Sequence, residues 1–320
     1  MVNSVKNSLS ENNYFNKELT QILSNKNIAN AYIFDGPENI GKRENAIKFM
    51  AEIILNSNQD QNAVKKIKEN NHPDFMFIEP TYLIKGNPIN QSEIELALKP
   101  KSNALIRINQ IRNIRTFLSM KSIDSNKKFI LIEDAHLLNE ASSNCLLKTL
   151  EEPTNGLFIL LTSKFNLLLE TITSRCQRIR FKPLTTNQLK RIIVESENLK
   201  DIQDDQNISL DNLIYISNGS PGKLIDNIQI CKDIPYKILQ ELESPILNFQ
   251  KALFLAKNIN DELNIIQQEF LIDYVQYNWW KKTQNRILTE TIEEVKINLI
   301  DGISPRLSWE VGLLKIASQK

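Results

Sequence analysis

Cysteine is scarce in this chain of 320 residues, which has three in all: Cys145, Cys176 and Cys231. They are odd in number, far apart and without C-x-x-C spacing, so neither a disulfide framework nor a clustered zinc site is indicated. Histidine is scarcer still. His72 and His136 are the full complement, and no Ser/His/Asp or Cys/His nucleophile set can be assembled from them. No apolar run approaches the roughly 18–20 residues of a membrane span. Residues 1–14 are polar and Asn-rich and lack the apolar centre of a signal peptide, so the chain is expected in the cytoplasm. An excess of one charge is missing as well. With 39 Lys+Arg against 38 Asp+Glu, the net charge is +1, and no global field marks nucleic acid or a membrane as the main partner. There is no tandem repeat and no low-complexity tract. What remains is an ordinary globular composition, 41% hydrophobic and 24% charged, long enough for two or three domains.

The pattern along the chain changes character once. Up to residue 182, short apolar runs alternate with amphipathic stretches, as expected of an α/β domain wound on both faces of a parallel sheet. Helices are expected at 16–29, 42–55, 106–120 and 139–151, the last stopped by Pro153. Strands are expected at 31–34, within 72–80, and at 128–132, 157–161 and 177–181. The runs 128–132 and 157–161 are continuously apolar, the mark of strands buried on both faces. Prolines at 73 and 80 bracket the second strand, and either confine it to an edge or fix its ends. Residues 56–71 are polar and lysine-rich, and Lys65, Lys66 and Lys68 read as a solvated face. Residues 81–104, with Gly86, Pro88 and Pro100 as breakers, read as a surface excursion. After Pro183 only helices are expected: a small unit of three (185–199, 210–217, 223–232), then a larger set (249–257, 261–282, 286–299, 308–318). The boundaries drawn are 1–182, 183–240 and 241–320.

Residues 36–43, Gly-Pro-Glu-Asn-Ile-Gly-Lys-Arg, sit between the first strand and a helix. This is the place and nearly the pattern of a phosphate-binding loop, G-x-x-x-x-G-K-[ST]. Gly36 and Gly41 allow close backbone approach to phosphate, the helix start supplies unpaired N–H groups, and Lys42 could reach a β- or γ-phosphate. Asn39 tolerates the left-handed backbone such loops need. The hydroxyl that should follow the lysine to hold Mg²⁺ is replaced by Arg43, and a guanidinium cannot ligate a cation. Glu133-Asp134 closes the third strand where a Walker B pair would hold Mg²⁺ and polarise water. Its order is reversed, and both carboxylates simply facing solvent at a strand end is the alternative. Binding of ATP to this loop stays open, hydrolysis is not expected, and no metal site is assigned. His136 and Cys145 read as structural, Cys145 as a small apolar core residue.

Three further segments stand in a telling order: Asn144-Cys145-Leu146-Leu147-Lys148-Thr149-Leu150-Glu151-Glu152-Pro153, then Phe158-Ile159-Leu160-Leu161-Thr162-Ser163, then Thr173-Ser174-Arg175-Cys176. With His72-Pro73-Asp74 and Gly219-Ser220-Pro221-Gly222-Lys223, they resemble the clamp-loader branch of the AAA+ ATPases. Within it they are most similar to the delta-prime subunits of bacterial DNA polymerase III. The resemblance spans about residues 14–235, with a weaker echo at Leu307-Ser308-Trp309-Glu310.

That resemblance implies an AAA+ P-loop domain, a helical lid and an all-α C-terminal collar for oligomerisation. It implies that Arg175 is an arginine finger offered in trans to ATP bound by a neighbouring motor subunit, with Ser174 and Cys176 as motif support. Cys176 would pack behind the finger rather than react. Thr162 or Ser163 would stand where a sensor touches phosphate. The implied role is a rigid, non-hydrolysing stator in a DNA polymerase III holoenzyme. Its partners would be gamma/tau-type motor subunits and a delta-type subunit in a hetero-oligomeric ring that loads the sliding clamp on primed DNA. Two features depart from the family pattern. The lid position where motor subunits place an arginine is Gly222, with Lys223 next. The four zinc-binding cysteines of many relatives are missing from residues 51–71, so no zinc is expected, and polar packing or a helix through Val64 and Ile67 would replace the knuckle. Trp279, Trp280 and Trp309 are expected in core or subunit contacts. The alternatives are an active gamma/tau-like motor ATPase, and a scaffold or DNA-binding adaptor that reuses the fold outside any loader.

Overall fold

The computed structural model describes residues 16–25, 27–58, 61–94, 103–152, 155–195, 210–245 and 248–318, with secondary structure alone at 56–58, 61–64 and 194–195. Pro100, Pro153 and the expected helix end at 196–199 lie outside the described residues, as does the N-terminal stretch 1–14. The chain forms two compact units, Met1–Pro183 and Leu184–Lys320.

In the first unit, α1 (Lys17–Asn25) precedes β1 (Ala31–Asp35), which feeds a loop and the long helix α2 (Lys42–Asn58). Then come α3 (Gln61–Lys68), β2 (Phe75–Ile78), β3 (Thr81–Ile84), β4 (Asn87–Asn90), α4 (Ile108–Ser119) and β5 (Lys128–Ile132). The unit closes with α5 (Glu140–Glu151), β6 (Gly156–Thr162), the short α6 (Glu170–Thr173) and β7 (Gln177–Arg180). Five strands form one parallel sheet in the order β2-β5-β6-β1-β7. Every residue of β5 and β6 is buried, which requires cover on both faces. Strand alternation divides the labour. Ala31, Ile33, Ile130, Ile132, Phe158 and Leu160 join Ile111 and Ile114 of α4 and Leu146 of α5 in one core cluster. Tyr32, one residue out of step, instead meets Phe49 of α2 edge-on at 5.4 Å between ring centres.

One expectation is corrected in this unit. Residues 81–90 are not a structureless excursion but an antiparallel hairpin, with Tyr82 opposite Ile89 and Leu83 opposite Pro88. Its two-residue turn, Lys85 (φ 51°) and Gly86 (φ 84°), is left-handed at both positions, as tight hairpin turns demand. Of the two alternatives expected for the polar segment after α2, the helix is the one that forms, as α3, with Ile67 fully buried.

The second unit contains α7 (Thr186–Glu195), α8 (Leu210–Ile216), α9 (Pro221–Lys232), α10 (Tyr236–Glu241), α11 (Phe249–Glu262), α12 (Ile265–Thr283), α13 (Arg286–Ile300) and α14 (Pro305–Ala317). Side-chain caps start several of these helices. Ser220 Oγ accepts from Lys223 N, Asn248 from Lys251 N, Asn264 from Gln267 N and Asn285 from Ile287 N. The helix expected at 261–282 instead begins after Leu263, because Asn264 and Gln267 form a reciprocal capping box there. Segments 183–240 and 241–320, drawn as separate domains, lie in one compact unit whose α12 packs on both α8 and α9. Trp279 and Trp309 are fully buried, their indole N–H groups donating to Leu242 O (2.8 Å) and Gln268 Oε1 (3.0 Å), while Trp280 is exposed. Among the described residues no helix is long and apolar enough to cross a membrane.

Candidate functional site

Strand order decides where the chemistry gathers. β1 lies between β6 and β7, and the loop after it opens at the carboxyl ends of the strands, where α/β sheets hold their ligands. Gly36 N donates to Thr162 O at 3.2 Å, which ties the loop to the end of β6. A Cβ on Gly36 would run into the backbone carbonyl of Phe181, so glycine is required by close approach. Asn39 (φ 55°) and Gly41 (φ 92°) take the left-handed conformations that curl the loop into α2. Gly36, Gly41, Lys42, Glu133, Asp134 and Thr162 are thus brought to one end of the sheet, as their order along the chain predicts.

Lys42 and Thr162, however, are engaged within the protein itself. Lys42, only 8% exposed, donates from Nζ to Gly36 O (2.7 Å) and Pro37 O (2.6 Å). Burial lowers its pKa against the raising fields of Glu133, Asp134, Glu38 and Asp35. Burial also pushes the Glu133 carboxyl up to about 7, with Arg43 the foremost charge pulling it back. One Glu133 oxygen, Oε2, is buried without a hydrogen-bond partner. Asp134 is left-handed (φ 44°, ψ 50°), and burial raises its pKa while His136 opposes. Thr162 is wholly buried. Its hydroxyl lies 3.3 Å from His136 Nδ1 and accepts from Lys164 N at 3.1 Å. The guanidinium of Arg43 lies over the Phe77 ring, 4.1 Å from its centre. No hydroxyl follows the lysine, so the donor set does not fit a phosphate-bound Mg²⁺. Among the described residues no cluster of three or more His, Cys, Asp or Glu could hold a metal.

Arg175 stands elsewhere. In the register of β1 and β7, Tyr32 pairs with Gln177 and Asp35 with Arg180. Arg175 therefore precedes β7 at the end of the sheet where strands begin, and the loop follows Asp35 at the end where they finish. A cleft of about 350 Å³ opens there, lined by Asn30, Thr149, Glu151, Phe158, Arg175 and Gln177, among others. Arg175 Nη2 reaches Glu151 Oε1 at 2.7 Å and Nη1 donates to Thr171 O at 2.8 Å. The side chains are 39% and 53% exposed. A pair this open to water is worth about 0–1 kcal/mol, so exchanging Glu151 for another anion costs little. Ser174 Oγ donates to Thr171 O, which steadies the turn. Burial raises the Cys176 thiol to about 12, which leaves it protonated and unreactive.

The comparisons with known proteins agree on lineage. Residues 11–185 match the family described as DNA polymerase III, delta subunit, and residues 188–316 match the cyanobacterial DNA polymerase III delta prime, C-terminal domain. The chain belongs to the delta-prime family of DNA polymerase III. DNA polymerase III subunit gamma/tau of Mycoplasma genitalium is 31% identical over 228 residues, 68% of this chain and 33% of that protein. Subunit delta' of Bacillus subtilis is 27% identical over 187 residues, 57% of this chain and 50% of that protein. Subunit delta' of Pseudomonas aeruginosa is 30% identical over 201 residues, covering 60% and 54%. The chain thus spans between a third and about half of these relatives' length. A DNA polymerase III gamma subunit-related protein of Thermotoga maritima superposes with a TM-score of 0.55 at 15% identity, covering 94% of this chain and 99% of that one. At that identity the likeness is one of fold, the AAA+ P-loop architecture.

Sequence reasoning missed four side chains, three in the first unit and one in the second. Arg178 holds Asp35 through Nε (3.0 Å) and Nη2 (2.5 Å) and lies over Phe165. Glu151, quoted only as part of a motif, is the ion-pair partner of Arg175. Buried Asp74 accepts from Ile123 N, Asp124 N, Ser125 N and Ser125 Oγ at 2.8–3.1 Å and so anchors the loop entering β5. Asp273 takes up Lys223, the lid residue beside the vacated arginine position, at 3.3 Å. Only the i-to-j spacing within helices is visible in a sequence, and each of these pairings joins distant segments.

Proposed function

We propose that this chain is a non-hydrolysing stator of the DNA polymerase III clamp loader. In this reading it supplies Arg175 to ATP bound by a neighbouring gamma/tau-type subunit while the ring, with a delta-type subunit, loads the sliding clamp on primed DNA. One observation carries the reading: the guanidinium lies on the surface at the far end of the sheet from the chain's own loop, where it cannot serve that loop. A guanidinium is permanently charged and can spread its N–H groups over γ-phosphate oxygens as charge shifts during transfer. Thr162, turned inward to His136 and Lys164, and Lys223, turned to Asp273, support a chain that senses no nucleotide of its own.

Likeness to gamma/tau subunits favours a second reading, an active motor. Arg43 in the metal-ligand position and the reversed acidic pair weigh against it. Reconstitution separates the two. The isolated chain is expected to show no Mg²⁺-dependent ATP hydrolysis, and Arg175→Ala is expected to slow the assembled loader while assembly persists. Turnover by the isolated chain would restore the motor reading.

A further inference from the structure

Five carboxylates, Asp35, Glu38, Glu44, Glu133 and Asp134, crowd the loop and the strand ends beside it. Arg178 is spent on Asp35, and Lys42 is spent on the carbonyls of Gly36 and Pro37. Glu133 remains, with a buried oxygen that no hydrogen bond satisfies. It closes β5 beside the end of β2, its N–H donating to Ile78 O at 2.8 Å. Phe77 of that same strand end carries the guanidinium of Arg43 on its ring face at 4.1 Å. Arg43 and Glu133 therefore share one corner of the site, and this is where a phosphate loop with a hydroxyl after its lysine would keep its divalent cation.

We propose that Arg43 is a built-in replacement for the divalent cation, a specificity-determining residue that makes this loop indifferent to metal. The half-buried, stacked guanidinium supplies the positive charge that balances Glu133. It removes the hydroxyl ligand, and its charge repels any Mg²⁺ that a nucleotide would carry in. The single ring face of Phe77 suits arginine, whose flat guanidinium stacks on it. The inference rests on the reading of the loop as non-hydrolysing, but the two fail separately. Metal dependence is read from nucleotide binding by the isolated chain, whereas the finger is read from hydrolysis in the assembled complex.

The test titrates the full chain with a fluorescent ATP analogue in Mg²⁺ and in EDTA, for the wild type, Arg43→Thr and Arg43→Lys. The wild type is expected to change by less than about twofold between the two conditions, whether its binding is weak or measurable, and Arg43→Lys to behave likewise. Arg43→Thr is expected to bind roughly tenfold or more tightly in Mg²⁺ than in EDTA. Circular dichroism establishes that each variant is folded. Should Arg43→Thr not fold, the wild type and Arg43→Lys decide. A wild type that tightens roughly tenfold on Mg²⁺, or a folded Arg43→Thr that ignores Mg²⁺, overturns the proposal.

Discussion

Burial holds the Glu133 carboxyl up at about 7 against the pull of Arg43, and that has a consequence for stability. The unfolded chain releases this proton near 4.5, whereas the folded chain keeps it until about 7. Between those values the native state binds more protons, so this group's contribution falls as pH rises from about 4.5 to 7 and is fully lost above that. The loss is of order 1–3 kcal/mol. Glu133→Gln is expected to remove this part of the slope, so urea midpoints of wild type and variant converge or cross between pH 5 and 7. Parallel pH profiles for the two proteins would show that Glu133 ionises normally. At the same scale, Lys42 illustrates what a sequence cannot disclose. Its residue type and place predict a phosphate contact, but its hydrogen bonds to Gly36 O and Pro37 O depend on a loop curvature that only the folded chain provides.

Among the elements, α12 is the spine of the second unit. Its Asp273 accepts from Lys223 of α9 (3.3 Å) and Lys296 of α13 (2.6 Å), Asn278 accepts from buried Asn212 of α8 (2.9 Å), and Tyr277 stacks on Tyr215 at 4.1 Å. These bonds fasten the small helical segment to the C-terminal helices, as the proposed stator role requires. Asp273→Ala would leave two lysines facing each other. With the partial exposure of this cluster discounted, it is expected to cost about 1–2 kcal/mol and to speed hydrogen exchange in α9. Exchange in α9 identical to wild type would show the fastening to be incidental. Legibility at this scale followed physical redundancy. β5 and β6 were readable because burial on both faces forces a continuous apolar run. The β3–β4 hairpin was not, because Lys85-Gly86 lacks the Asn-Gly or Asp-Gly signal and Pro88 argues against a strand. The α11–α12 break was expected a few residues early, at 258–260, because Asn264 and Gln267, which cap the helix, look like any polar pair inside one.

For the whole molecule, assembly is the property the sequence could only imply. Ile297, Ile300, Ile303, Leu307 and Val311 of the α13–α14 region stay exposed. Ile300, 67% exposed, can be made aspartate at little expense to folding, within about 0.5 kcal/mol. Ile300→Asp is expected to weaken co-purification with gamma/tau-type subunits while the melting temperature holds. Unimpaired assembly would move the interface to another face. The two ends of the sheet were legible from motif order, since residues after β1 and β5 must lie at one end and those before β7 at the other. That Arg175 is tethered to Glu151 was not, because the partner lies 24 positions away on another element.

The central claim is that a guanidinium on this chain assists hydrolysis at a site the chain does not own. It is tested most directly by single-turnover ATP hydrolysis in the reconstituted complex with Arg175→Ala, Arg175→Lys and Glu151→Gln. The account predicts a loss of about 10³-fold or more at the adjoining site for Arg175→Ala. Lysine would give little recovery, since it lacks the planar fork, and Glu151→Gln would keep the wild-type rate or exceed it. Equal rates for wild type and Arg175→Ala, in complexes assembled to the same extent, would contradict it.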